Sequence, residues 1–161
     1  MNISACLRPA ITSAVTLAVT LAALPASAQD FEADPTYETA TLAAGFPEDP
    51  HVVSVLSGGD IDASTVGDAC AGYIANAPDV RLNYTAGSFP LTFLVTADTD
   101  TTLVINGPDG QWYCDDDSGG DLDPAVAFAS PQSGQYDIWV GSFEEGATDA
   151  ATLMITEQAG E

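Results

Sequence analysis

From Tyr37 to Thr156, apolar and polar side chains alternate in short runs, and each run is broken by Gly, Pro, Asp or Asn. Period two is the repeat of a strand with one buried face. No stretch in this span carries the 3.6-residue repeat of an amphipathic helix, so neither a helical bundle nor a helix-covered parallel sheet fits. Leu91, Phe93 and Val95 share one face of Pro90–Thr96, and Leu103 and Ile105 share one face of Thr101–Asn106. Val126 and Phe128 point inward from Ala125–Ser130. Tyr136, Ile138 and Val140 do so from Gln135–Gly141, and Leu153 and Ile155 from Ala150–Thr156. His51–Leu56, Asp79–Thr85 and Gln111–Cys114 read as further strands, and Tyr37–Ala43 as a short one. Ile61–Ala77 is the least regular part, with a short strand placed near Ala71–Ile74. Ser57-Gly58-Gly59-Asp60, Gly87-Ser88, Asn106–Gly110 and Pro131–Gly134 supply turn chemistry. The expectation is an all-β chain of about eight or nine short strands, packed as an antiparallel β-sandwich on one shared core.

The segment before this pattern has another character. Arg8 precedes an uncharged apolar stretch, Ile11–Leu24, which is followed by Pro25-Ala26-Ser27-Ala28. A short apolar stretch ending in small residues is the pattern of a cleavable export signal, and it is short for a membrane span. The expected division is a signal peptide over 1–28, a flexible lead-in over 29–36, one domain over 37–157 and a tail over 158–161. Cys6 would leave with the signal. The two remaining cysteines, Cys70 and Cys114, are expected to form a disulfide in an oxidising compartment, periplasmic or extracellular. On the chain-entropy account a loop of that length is worth roughly 3–4 kcal/mol.

Charge narrows the partners. The formal net charge is −22, from 24 acidic residues against Arg8 and Arg81. Such a surface repels nucleic acid and anionic lipid and attracts cations. The densest stretch is Asp115-Asp116-Asp117-Ser118-Gly119-Gly120-Asp121-Leu122-Asp123. Calcium takes six to eight hard oxygen ligands, and carboxylates on a Gly-rich loop can wrap it. Asp115, Asp117, Asp121 and Asp123 are the candidate ligands, and Asp98 and Asp100, from an earlier turn, could add oxygens. The loop is not an EF-hand, because Val126 stands where the closing bidentate Glu belongs. A solubilising acidic coat without a specific ligand is the competing reading.

Asp117-Ser118-Gly119-Gly120 resembles the nucleophile motif of chymotrypsin-like peptidases, which would make Ser118 the nucleophile and His51 the base. Asp116 stands where that family has Gly, and puts negative charge beside an oxyanion site. His51 lies in Asp49-Pro50-His51-Val52, outside the family's setting, and the chain is short for two barrels. A non-catalytic protein is the expectation and a minimal serine hydrolase the alternative. Arg81 is expected to pair with carboxylates in or beside the sandwich. Trp139 alternates with Ile138 and Val140, so it lies off the main core face. It would either cover the second face under a loop or, with Trp112, stack on a sugar.

Three blocks carry a resemblance: Thr102–Gly110, then Trp112-Tyr113-Cys114-Asp115-Asp116-Asp117, then Ser133-Gly134-Gln135-Tyr136-Asp137-Ile138-Trp139-Val140-Gly141. In them the chain is similar to the pre-peptidase C-terminal domain family and its small exported relatives. The resemblance implies a jelly-roll-like sandwich without catalysis of its own, in a family some of whose members bind calcium or extracellular polymers; the partners expected here are calcium and an extracellular polymer or protein. The family commonly accompanies a peptidase domain, which is not seen here.

Overall fold

The computed structural model describes residues 29–158. The expected signal peptide with Cys6, and residues 159–161 of the expected tail, lie outside the described residues. The strands are β1 (Glu38–Ala43), β2 (His51–Leu56), β3 (Ile61–Asp62), β4 (Tyr73–Ile74), β5 (Val80–Thr85), β6 (Leu91–Ala97), β7 (Thr101–Asn106), β8 (Trp112–Asp115), β9 (Ala125–Phe128), β10 (Gly134–Ser142) and β11 (Ala150–Thr156). A 3-10 turn, Ala63–Thr65, lies between β3 and β4.

The pairing nests. β7 pairs β8 across the Gly107–Gly110 turn, β6 pairs β9, β5 pairs β10 and β2 pairs β11, all antiparallel. These nested pairs alternate between two sheets, so the chain is one long hairpin rolled on itself. Further pairs, β10 with β7 and β11 with β6, complete the roll. One sheet orders β2-β11-β6-β9, and the other contains β1-β5-β10 with β7 and β8 beyond β10. This is the strand order of a jelly roll. Leu82, Leu91, Phe93, Leu103, Ile105, Tyr136, Ile138, Leu153 and Ile155 are fully buried between the sheets. They are the inward residues of the alternating runs.

Two features differ from the expectation. β1 runs parallel to β5, in register from Glu38↔Val80 to Ala43↔Thr85. Alternation reports which face a residue takes and is blind to strand direction. There are also eleven strands among the described residues: β4 falls within the short strand placed near Ala71–Ile74, while β3, at two residues, is too short to show a period.

The stretch between β2 and β5 roofs the outer face of β10, β7 and β8. There Trp139 and Val104, both at 0% exposure, pack with Ala63, Cys70 and Ile74. Trp112 stacks on Trp139 with ring centroids 5.4 Å apart. Trp139 therefore covers the second face and offers nothing to a sugar. The Cys70–Cys114 disulfide ties this roof to β8, with Cα atoms 5.1 Å apart across 44 residues of sequence. Gly72 (φ +79°) lets the roof lie flat: a Cβ there would stand 2.1 Å from Thr102 Cγ2 and 2.6 Å from the Ser142 carbonyl oxygen.

Asp79 mends a gap in the ladder. β5 pairs with β10 as far as Ile138, and β4 takes over at Ser142. Between them the Val140 N–H donates to Asp79 Oδ2 at 2.7 Å, and the Val140 carbonyl accepts from the Gly58 N–H at 3.0 Å. Asp79 is 3% exposed, and burial pushes its carboxyl up to about 7.

Arg81 forms the expected ion pair: its Nε donates to Asp137 Oδ1 at 2.6 Å, and both side chains are largely buried. Its Nη2 donates to the carbonyls of Phe31 and Ala33 at 2.6 and 3.0 Å. Gln29 Nε2 donates to the Ala75 carbonyl. The lead-in, expected to be loose, is thus hydrogen-bonded to the sheet and its roof, because the carbonyls of Phe31 and Ala33 satisfy donors that Asp137 leaves unused on Arg81.

Candidate cation site at the acidic end

Three connections meet at one end of the sandwich. The β6–β7 turn carries Asp98 and Asp100, the β8–β9 loop carries Asp116 to Asp123, and the β10–β11 loop carries Glu144 and Asp149. Rolling the hairpin brings them together. The Phe143 N–H donates to the Asp100 carbonyl at 3.2 Å, and the Thr101 N–H to the Leu122 carbonyl at 3.4 Å. A pocket of about 240 Å³ opens there, lined by Thr99, Asp100, Ser142, Glu144, Ala147 and Asp149.

Asp100 is the hub. Its Oδ1 is enclosed and has no hydrogen-bond partner among the described residues. Desolvation raises its pKa from the ordinary carboxylate value, and the negative charges of Asp117, Asp116 and Glu144 raise it further. A carboxylate among like charges, with one oxygen unsatisfied, gains from a cation.

The other candidates divide by what already holds them. Asp115 organises the loop. Its Oδ2 accepts from the Ser118 and Ala125 N–H groups, each at 2.8 Å, and its Oδ1 accepts from the Ser118 hydroxyl. Asp123 Oδ1 accepts from the Ala97 N–H at 3.1 Å. Asp121 is exposed, at φ 55°. Asp98, also exposed, borders a separate hollow with Thr96, Ala97, Ala150 and Thr152. Of the six carboxylates singled out in the sequence, Asp100 and Asp117 thus come within each other's field. Among the described residues no three His, Cys, Asp or Glu side chains stand in an arrangement that could hold a metal ion. Asp115 and Asp123 are taken up by backbone N–H groups that a tight loop would otherwise leave unpaired.

Sequence reasoning missed Glu144, Asp149 and Asp116. Glu144 and Glu145 stand before Gly146 in a segment to which the sequence pattern assigns no role, and only the jelly-roll order puts that connection beside Asp100.

Ser118 and His51 are not brought together. Ser118 is bound to Asp115, while His51 Nε2 lies 3.1 Å from Glu38 Oε1. His51 registers with Ile155, Ile155 with Phe93, and Phe93 with Val126. Three strand spacings, about 14 Å, therefore separate β2 from the β9 end where Ser118 sits. The pair makes no nucleophile–base contact.

No protein-family model and no curated protein matches the chain. Among solved structures, a periplasmic lysozyme inhibitor of g-type lysozyme, PliG from Aeromonas hydrophila, aligns with 75% of this chain and 98% of its own, at 15% identity and a TM-score of 0.38. A likeness this low carries nothing about what this chain does.

Proposed function

We propose that the chain is an exported, non-catalytic β-sandwich module that binds a divalent cation, calcium, at its acidic end, and through that end meets an extracellular polymer or protein. The observation that carries this is Asp100, with an enclosed, unpartnered carboxylate oxygen facing the charges of Asp116, Asp117 and Glu144. Separated carboxylates repel, and a divalent ion drawing oxygens from the three connections relieves that repulsion. Oxygen-only donors on irregular connections suit calcium better than magnesium, which demands a tight octahedron. Affinity in the 10⁻⁴–10⁻³ M range typical of extracellular modules is expected, since no ligand cage stands preformed among the described residues. The Cys70–Cys114 bond supports an oxidising compartment, in keeping with the signal-like leader.

Thermal melting at matched ionic strength tests the proposal. At calcium about tenfold above Kd the midpoint should rise by roughly 5 °C, with a smaller rise in magnesium. Asp100→Asn should abolish the difference between the two ions. An unmoved midpoint, or an equal rise with both ions, would leave the acidic surface as a solubilising coat.

A further inference from the structure

In a chain with 24 acidic residues, one large surface among the described residues carries charge only at its rim, where Asp98 stands beside Thr96, Ala150 and Thr152. The outer face of the four-stranded sheet presents a cross-strand row of Val52, Met154, Leu94 and Ala125, and its other outward residues are Ser, Thr, Ala and Leu56. Val52 and Leu56 are 53% and 55% exposed. The other sheet differs: the roof and the lead-in cover much of its outer face.

The uncharged face ends at an open edge, β2. The Ser57 N–H donates to Asp149 beyond β11's first residue, so the odd-numbered residues of β2 point their backbone groups at β11. The backbone groups of Val52, Ser54 and Leu56 point away from the sheet. The Leu56 N–H takes the Tyr37 hydroxyl at 3.0 Å, and the Val52 and Ser54 N–H groups meet no acceptor among the described residues. Proteins usually protect such edges with charge, bulges or short strands. Edges β1, β3 and β8 carry Glu38, Asp62 and Asp115. β9 is uncharged, but its first N–H is held by Asp115. β2, six residues with three valines and leucine among them, has no carboxylate.

We infer that β2 is a self-association edge, pairing antiparallel with β2 of a second copy about a two-fold axis at Ser54 to join two four-stranded sheets into one of eight strands. The outward-pointing backbone set is symmetric about Ser54: Ser54 faces its own copy, and Val52 faces Leu56 of the other chain. Both pairs are of the type that exchanges two hydrogen bonds, and the Val52 carbonyl takes over the Leu56 N–H from Tyr37. Val52 and Leu56, each half-exposed in one copy, become an apolar cross-strand pair, and the uncharged face runs unbroken across the seam. A second copy is the occupant because Val52–Leu56 carry no charged side chain, and Glu38, beside the strand's first residue, is held 3.1 Å from His51 Nε2. Two like-charged chains can approach only where neither presents a carboxylate, whereas a cationic partner would find no counter-charge here. Acidic residues elsewhere on the two copies still repel, so pairing is favoured by salt.

Light-scattering mass of the mature protein, measured from about 10 µM to 1 mM, tests this. The wild type should move towards twice the monomer mass as NaCl rises from about 0.05 to 1 M, where the screening length falls to about 3 Å. Ser54→Pro removes an N–H that points away from β11, so the native ladder is kept and the variant should stay monomeric. Val52→Glu, at an exposed position, should stay monomeric as well, with thermal melting confirming that both are folded. A monomeric wild type throughout, which leaves the edge to a foreign strand, overturns the inference. So does a dimer that dissociates with salt, or either folded variant pairing as readily as the wild type.

Discussion

Asp79→Asn should stabilise the protein at neutral pH and leave it nearly unchanged at pH 4. Asp79 is buried against Val140, and its carboxyl titrates at about 7 rather than at 3.8. The folded state therefore holds a proton that the unfolded state has released over the window between those values. The slope of unfolding free energy with pH follows protons bound in U minus protons bound in N, and is negative there. The stability tied to neutral Asp79 is fully present below pH 3.8, falls as pH rises, and is lost once the folded group has ionised above about 7. A tenfold change in a proton-binding constant is worth about 1.4 kcal/mol, so the whole loss is about 4 kcal/mol as an order of magnitude. Asn presents the same carbonyl oxygen to the Val140 N–H and never ionises. The assay is urea denaturation of both proteins from pH 4 to 8, read as their difference, so that general repulsion among the surface carboxylates largely cancels. The difference should be under about 1 kcal/mol at pH 4 and grow to about 4 kcal/mol by pH 8. A difference independent of pH, or a variant less stable at pH 8, would refute the reasoning that burial penalises the charged form here.

Replacing Cys70 and Cys114 together by Ala should cost about 2–5 kcal/mol in equilibrium denaturation, and should raise fluorescence quenching of Trp139 as the roof loosens. Arg81→Met leaves Asp137 as a buried unpaired charge, and a loss of about 3–5 kcal/mol is expected, with limited proteolysis newly cutting within 29–36. Gly72→Ala should destabilise by more than about 2 kcal/mol, because the new Cβ meets Thr102 and a backbone carbonyl at a positive φ. A Gly72→Ala melt within about 1 °C of wild type would contradict the roof's close approach.

Much of the fold could be read from alternation alone. Leu91, Phe93 and Val95, or Tyr136, Ile138 and Val140, point inward as their period requires. The disulfide followed from compartment and count. Three things were out of reach. The parallel setting of β1 leaves no periodic trace, since strand direction does not alter which face a residue takes. Trp139 could be read as covering the second face under a loop, but not which segment buries it with Val104, because that irregular roof is held by a disulfide rather than by a repeating pattern. At the acidic end the loop was visible as a charge cluster, but its roles were not. Asp115 and Asp123 act within the chain as hydrogen-bond acceptors for backbone N–H groups, while Asp100, one of two carboxylates from a short turn, is the one left with an unpaired oxygen. Charge density marks where carboxylates lie and not which of them are already engaged.

A crystal structure of the mature protein grown with calcium, with anomalous data identifying the ion, tests the central claim most directly. An ion ligated by Asp100 together with Asp117 or Glu144, with Asp115 still holding the Ser118 and Ala125 N–H groups, is the predicted result. An empty end beside Asp100, or calcium found only between molecules of the lattice, would contradict it.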